Sequence, residues 1–247
     1  MVFKILMIGH LVGDFYLQSS EMVAEKKKSP GTLMKHCILY ALPIFILGLF
    51  IITKSELISF IKFMISITLL HGFIDYIKIY LEKKKKPKHK YILFLLDQFI
   101  HTAILYVLLD VCKIAGGSYI TIFGNYYDVS DLDIYIKSIM MAFICAKPAS
   151  IFIATVFDEI SSVKNEKDSG TQRTAKIGSL IGILEREIIL ILGLMGQYGA
   201  IGFVLAAKSL ARFKQLEERD FAEKYIVGTL LSAFIAIFCI VIYSNVL

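Results

Sequence analysis

Residues 69–78 read LLHGFIDYIK, an apolar stretch that contains His71 and Asp75. The same two residue types, four positions apart, recur in two other apolar stretches: IGHLVGDFYLQ (8–18) with His10 and Asp14, and LLDQFIHTAIL (95–105) with Asp97 and His101. A spacing of four places both side chains on one face of a helix, one turn apart. Ionisable side chains are costly to place in a bilayer, so such residues indicate a functional site by default.

The composition predicts an integral membrane protein. Of the 247 residues, 57% are hydrophobic and only 19% are charged, whereas a soluble domain of this size carries more charge. Six apolar windows reach or approach the roughly 20 residues that a helix needs to cross a bilayer: Met34–Ile52, Leu57–Leu81, Tyr91–Val111, Ile134–Phe157, Ile177–Met195 and Ile226–Val246. Together with the shorter segments Val2–Gln18 and Gly199–Phe213, they predict an all-α, polytopic membrane helix bundle of about seven to eight hydrophobic segments.

The distribution of basic residues predicts the orientation. With the N-terminus outside, the loops on the inner side hold 17 Lys and Arg and the outer loops hold two. This asymmetry follows the positive-inside rule for a multi-pass protein of the cell membrane, in bacteria the inner membrane. The run KKKKPKHK (83–90) is then a cytoplasmic anchor that contacts anionic lipid headgroups, and we expect no nucleic-acid partner.

Three parts of the chain are predicted from these patterns. Residues 1–115 form a four-helix transmembrane bundle with the His/Asp pairs, and residues 116–133 form an extracytoplasmic loop. Residues 134–247 form a C-terminal half whose small residues allow close packing, either within the chain or in a homo-oligomer. Lys147-Pro148 predicts a kink within the segment Ile134–Phe157.

Helix direction places the polar residues at one depth. The segments with His10 and His71 run inward and the segment with His101 runs outward, so in all three the aspartate lies nearer the cytoplasm. The histidines then lie about one turn, roughly 5–6 Å, deeper, and His36 of the second segment falls near the level of the aspartates. Seven side chains are therefore predicted to form one polar belt: His10, Asp14, His36, His71, Asp75, Asp97 and His101.

The residue types of this belt predict a divalent transition metal. Imidazole combined with carboxylate favours Zn²⁺ first, with Mn²⁺ or iron as alternatives. The ligands exceed the needs of one zinc ion, so one or two ions fit. One of Asp14, Asp75 and Asp97 could serve as a catalytic base. Three further side chains are candidates for supporting a ligand or contacting a substrate phosphate: Gln18, Lys78 and Gln98. Gln98 is the weaker candidate because it lies off the Asp97/His101 face.

The second half has charged residues of its own in apolar surroundings. Glu185 and Arg186 are adjacent and point about 100° apart on a helix, so each is expected to pair with another segment. One reading is a set of ion pairs between helices, which includes Lys208. The other reading places Arg186 and Lys208 against a lipid phosphate near the inner headgroups.

Four sequence blocks carry a family resemblance: GHLVGDFYLQ, the pair Lys35-His36, HGFIDYIK and DQFIHTAIL. In this order they resemble the bacterial membrane-protein family catalogued as domain of unknown function 3307, over roughly the first 110 residues. The later blocks GSLIGILER and GQYGAIGFVLAAKSLARF resemble the tail of longer members. The resemblance implies no established activity. A looser likeness to membrane-bound metal-dependent hydrolases rests on shared residue types and not on motif spacing.

The favoured hypothesis is a membrane-embedded metal-dependent hydrolase that acts on a lipid or lipid-linked phosphoester at the cytoplasmic leaflet. The alternative is a proton- or ion-coupled transporter that uses the same carboxylates, which requires a polar path through both leaflets. A di-iron oxidase is a third option, but the Glu-x-x-His pattern of soluble di-iron bundles is missing. A scaffold without chemistry also stays open.

Overall fold

The computed structural model describes residues 1–85, 89–117, 119–122, 125–162 and 172–245, and the fold is helical, as the composition predicts. The helices are α1 (Val2–Leu11), α2 (Ser20–Glu25), α3 (Pro30–Ile51), α4 (Leu57–Lys85), α5 (Lys90–Val111), α6 (Val129–Cys145), α7 (Lys147–Ser162), α8 (Gln172–Leu194), α9 (Tyr198–Ala211) and α10 (Arg219–Asn245). A π-helical turn (Val12–Tyr16) continues α1, and two 3₁₀ turns lie at Lys54–Glu56 and Phe213–Glu217. The exception to the helical fold is an antiparallel hairpin of β1 (Tyr119–Ile122) and β2 (Asn125–Asp128), inside the stretch predicted as a loop.

Five helical stretches are long and apolar enough to cross a membrane: Pro30–Ile51, Lys54–Lys84, Lys90–Val111, Asp131–Glu159 and Arg219–Asn245. α9 is a shorter apolar helix. α1 is not among the five because it is only 10 residues long, and α8 has five charged residues along its length. The count of seven or eight segments therefore stays a prediction.

The chain divides into two compact units, Met1–Met140 and Met141–Leu247, and the boundary falls inside α6. Two predicted loops lie partly outside the described residues. These are the basic run at 83–90, of which 86–88 are not described, and the loop at 116–133, of which 118, 123 and 124 are not described.

The first unit is built on a four-helix bundle of α1, α3, α4 and α5, in which each helix contacts two others. Its core is a continuous apolar cluster in which Leu6, Ile44, Phe63 and Leu105 are completely buried. Since apolar side chains fill the interior of the bundle, polar residues that enter it must find partners within the chain or in a ligand.

α1 and α3 approach each other most closely at two glycines, Gly9 and Gly13. A Cβ atom added at Gly13 would lie 2.7 Å from the carbonyl oxygen of Tyr40, and one at Gly9 would lie 2.9 Å from the Cα of Ile44. These contacts involve backbone atoms, which cannot move aside as a flexible side chain could. The G-x-x-x-G spacing is typical of transmembrane helices in close contact, and here it sets the distance between the two helices.

The second unit contains α7, α8, α9 and α10, with α8 and α10 as its main contact. The sequence predicts a kink at Lys147-Pro148, and the structure has a helix break there: α6 ends at Cys145 and α7 begins at Lys147. The prediction of close packing at small residues holds at Gly193, which packs against Ile240. It fails within the described chain at Gly178, Gly199 and Gly202, where an added Cβ would meet nothing within 4 Å.

We predict that Gly13→Ala lowers the free energy of unfolding by about 1–3 kcal/mol, because overpacking of this size separates the two backbones. Gly199→Ala is the matched control, since the added methyl group meets no atom and alanine favours helix by up to about 1 kcal/mol. Thermal and denaturant unfolding of the purified full-length protein measure both. Equal stability of the two variants would contradict the close-approach argument.

Candidate metal centre

Every buried polar or charged residue that the structure describes in the first unit belongs to the predicted belt. The side chains come from all four helices of the bundle: His10 and Asp14 from α1 and its π-helical turn, His36 from α3, His71 and Asp75 from α4, and Asp97 and His101 from α5. None of the seven is more than 9% exposed. Since burial of polar groups is costly, their collection at one place is a specific feature of this bundle.

Three possible ligand atoms lie around Nε2 of His36, which is itself a fourth. Its Nε2 lies 3.0 Å from Nε2 of His71, 3.4 Å from Oδ1 of Asp14 and 3.4 Å from Oδ2 of Asp75. Nε2 of His71 lies 4.0 Å from the same oxygen of Asp75. Ligands of a tetrahedral zinc ion lie about 3.3–3.6 Å from one another, given bonds of about 2.0–2.2 Å. The distances from Nε2 of His36 to the other three atoms, 3.0–3.4 Å, are close to this separation.

Two groups of three residues could hold an ion. One is Asp14, His36 and His71, and the other is His71, Asp75 and His101, each with ligand atoms within 4.8 Å of one another. His71 is common to both groups. His10 and Asp97, which the sequence also predicts as ligands, belong to neither group.

Several polar atoms at this centre are buried without a hydrogen-bond partner: Nδ1 of His36, Nδ1 of His71, Nε2 of His101 and Oδ1 of Asp97. Buried side-chain nitrogen and oxygen atoms nearly always have a partner. Four residues of the belt therefore keep hydrogen-bonding capacity that the described part of the chain does not use.

Two lysines close the centre on the side of the aspartates. Nζ of Lys26 lies 2.7 Å from Oδ2 of Asp75, and Nζ of Lys78 lies 2.7 Å from Oδ2 of Asp97. In the amide orientation that satisfies its neighbours, Gln18 donates to the main-chain carbonyl of Asp14 at 3.2 Å and accepts from Lys26 at 2.8 Å. Gln18 and Lys78 thus both contact residues of the belt.

Gln98 has a larger part in the centre than its position on α5 suggests. Its Nε2 donates to Oδ2 of Asp14 at 3.0 Å and to Oδ2 of Asp97 at 3.2 Å, and its Oε1 lies 3.3 Å from Nε2 of His10. The expectation that Gln98 is a weaker candidate was wrong. Gln98 follows Asp97 directly on α5, and its long side chain reaches across to α1.

Sequence reasoning missed two members of the centre, Tyr40 and Lys26. Tyr40 is completely buried, and its ring stacks on His71 with a centroid distance of 3.6 Å. It follows His36 by four residues, the same spacing as in the three His/Asp pairs, so a search for any polar partner at this spacing would have found it. Lys26 stands in a row of three lysines, and nothing local distinguishes it from the other two.

Three charged residues that the sequence analysis singled out in the second unit, Glu185, Arg186 and Lys208, have partners there. Glu185 and Lys208 form an ion pair of 2.6 Å between α8 and α9, which agrees with the prediction that Glu185 pairs with another segment. Arg186 is 2% exposed and donates to four oxygens: the carbonyls of Cys145 and Ala146 and the hydroxyls of Ser150 and Ser232. Cys145 ends α6, and the carbonyl end of a helix attracts a cation. Arg186 therefore stabilises the helix break.

We predict that Arg186→Lys lowers the free energy of unfolding by about 1–3 kcal/mol, because an ammonium cannot match the fork of the guanidinium and leaves buried oxygens unpaired. The control is Arg219→Lys, since Arg219 is exposed and pairs with Glu223 one turn away. An exposed pair contributes at most about 1 kcal/mol. Unfolding midpoints of the two purified variants are compared, and equal midpoints would reject a stabilising role for Arg186.

Comparison with known proteins supports the resemblance noted from the sequence. The sequence model of a family described as "Protein of unknown function (DUF3307)" matches residues 2–128, half of the chain. No curated protein and no solved structure matches the chain, so the looser likeness to membrane-bound metal-dependent hydrolases has no support from them. The matched residues contain the whole His/Asp centre and all four helices of its bundle. The chain therefore belongs to the DUF3307 family.

Proposed function

We propose that this chain is a multi-pass protein of the cell membrane and a metal-dependent hydrolase of a lipid or lipid-linked phosphoester at the cytoplasmic leaflet. The observation that carries the proposal is the convergence of two imidazole nitrogens and two carboxylate oxygens at one buried place, where Nε2 of His36 lies 3.0–3.4 Å from the other three atoms. The five helical stretches of membrane-crossing length support the location.

Asp14, His36 and His71 are the residues we assign to the metal. Three protein ligands are typical of a catalytic zinc site, which keeps one position open. Because His71 belongs to both possible groups and a neutral imidazole coordinates through one nitrogen, the arrangement favours one ion over two. Zn²⁺ suits this donor set best, followed by Mn²⁺ and iron. When bound, such an ion polarises a phosphoryl oxygen and makes water a better nucleophile near neutral pH.

Asp75 is the residue we assign as general base. Its Oδ2 lies 3.4 Å from Nε2 of His36, which places the carboxylate at the edge of the ligand set. Lys26 contacts the same oxygen and holds it in place. A carboxylate in this position can accept the proton that water releases when it attacks phosphorus.

The charges of the centre suit an anionic substrate. Three aspartates and two paired lysines give a formal charge of −1, which one divalent ion converts to +1. Without Lys26 and Lys78 the occupied centre would stay negative and repel a phosphoester. The lysines can therefore exchange a carboxylate oxygen for a phosphate oxygen when substrate arrives.

The remainder of the bundle core favours a hydrolase over the transporter considered above. Among the described residues of the first unit, the buried polar and charged ones are all at the centre. The rest of the buried core consists of residues such as Phe60, Phe63 and Leu109. A transporter needs polar groups along a path through both leaflets, and the described core offers them at one level.

We predict that the purified protein binds about one Zn²⁺ per chain, and that His36→Gln and His71→Gln each reduce this content by about tenfold or more, because each removes a ligand. The control is His89→Gln, because His89 is an exposed histidine that lies outside the centre. Elemental analysis after dialysis against free Zn²⁺ measures the content. Equal content in all four proteins would reject the metal centre.

We predict that Lys26→Met and Lys78→Met each lower kcat/KM on anionic lipid phosphoesters by about 10–100-fold, because each removes a charge-assisted contact to phosphate. The control is Lys27→Met, since Lys27 is 44% exposed and pairs with Glu82 at the surface. The probes are phosphatidic acid and phosphatidylglycerol in mixed micelles, with Zn²⁺, Mn²⁺ or Fe²⁺. Absence of hydrolysis with every metal would reject the hydrolase, and equal rates for the three variants would reject the role of the lysines.

A further inference from the structure

We infer that Tyr40, His10 and Gln98 form a hydrogen-bonded chain that orients the Asp14 carboxylate toward the metal ligands, so that His10 is a positioning residue and not a ligand. The inference rests on the metal centre of the proposed function but not on the reaction it catalyses. It assigns a role to His10, a buried residue of the belt that belongs to neither metal-binding group.

The direction of each hydrogen bond follows from the chemistry of Gln98. Its Nε2 faces the carboxylates of Asp14 and Asp97, which accept hydrogen bonds, so its Oε1 faces His10. This oxygen can only accept, and Nε2 of His10 must therefore donate the hydrogen. A neutral imidazole then has Nδ1 as an acceptor, and the hydroxyl of Tyr40, at 3.3 Å, donates to it.

Both ring nitrogens of His10 are thus engaged, and neither is free to bind a metal ion. This distinguishes His10 from His36 and His71, whose Nε2 atoms lie beside the other possible ligand atoms of the centre. His10 is also completely enclosed, so solvent does not compete for its hydrogen bonds. Its place in the centre is that of a fixed link between Tyr40 and Gln98.

The hydrogen bonds from Tyr40 through His10 to Gln98 determine which oxygen of Asp14 faces the other ligands. Gln98 binds Oδ2 at 3.0 Å, and Oδ1 is left 3.4 Å from Nε2 of His36. A carboxylate without such a partner rotates about its terminal bond and presents either oxygen. Groups that orient metal ligands in this way change metal affinity by about 10–100-fold when they are removed.

Tyr40 also contacts a second metal-binding residue, His71. Its ring lies nearly parallel to the imidazole of His71, at an angle of 7°, and limits the rotation of the histidine that both metal-binding groups share. The backbone of Tyr40 is itself held against Gly13 of the adjacent helix. One residue thus influences the orientation of two ligands, through its hydroxyl for Asp14 and through its ring for His71.

The experiment measures Co²⁺ binding by the full-length protein through the visible absorption of the bound ion, which reports both the affinity and the ligand set. We expect Gln98→Ala to weaken binding by about 10–100-fold and Tyr40→Phe, which keeps the ring stack, by about threefold to tenfold. His10→Gln keeps a donor toward Gln98 and should bind more tightly than His10→Leu. Both His10 variants should keep the band positions of the wild type, whereas His36→Gln should lose the bands.

The matched control is Thr102→Val, which removes a hydrogen bond of 3.9 Å between α5 and Met7 of α1 in the same interface as the chain. Circular dichroism shows whether each variant is folded. Loss of the Co²⁺ bands in folded His10→Gln would make His10 a ligand and overturn the inference, and so would equal affinity of Gln98→Ala and Thr102→Val. Co²⁺ binding without phosphoester hydrolysis would remove only the proposed reaction, while absence of Co²⁺ binding by the wild type would overturn the metal centre and this inference together.

Discussion

The cost of burying polar side chains in an apolar bundle is the constraint on which the rest of the first unit depends. Seven histidines and aspartates lie inside four helices whose other buried residues are apolar. Such groups are tolerated only where they pair with one another, with a lysine or with a ligand. The first two solutions are used here, in the contact between His36 and His71 and in the ion pairs of Lys26 and Lys78, and the third is the metal ion that we propose.

The geometry of the centre depends on how closely two helices approach. Gly9 and Gly13 remove the side chains that would separate α1 from α3, and this places Asp14 of the π-helical turn within reach of His36. π-Helical turns are frequent at functional sites. The same close approach fixes Tyr40, whose contacts extend to His10 and His71. The close packing of the α1 and α3 backbones therefore also sets the orientation of the metal-binding side chains.

Two buried sites, Arg186 in the second unit and the His/Asp belt in the first, stabilise their polar groups differently. In the second unit Arg186 is surrounded by carbonyl and hydroxyl oxygens of the same chain, so nothing further is needed to stabilise it. In the first unit His36, His71 and His101 each keep an unpaired nitrogen. A buried polar group that the protein itself satisfies holds the fold together, whereas a cluster left partly unpaired is suited to a ligand.

The sequence by itself determined the helical class, a kink at Lys147-Pro148 and the seven histidines and aspartates of the belt, but not the parts of Tyr40 and Lys26. These follow from local properties, namely apolar length, the missing N–H of proline and the spacing of four that aligns polar residues on one helix face. Only the tertiary structure decided which atoms meet. Gln98 contacts Asp14 across 84 positions of the chain, and Lys26 contacts Asp75 across 49. Such pairings depend on the rotation and separation of packed helices, which the local pattern of residues does not contain.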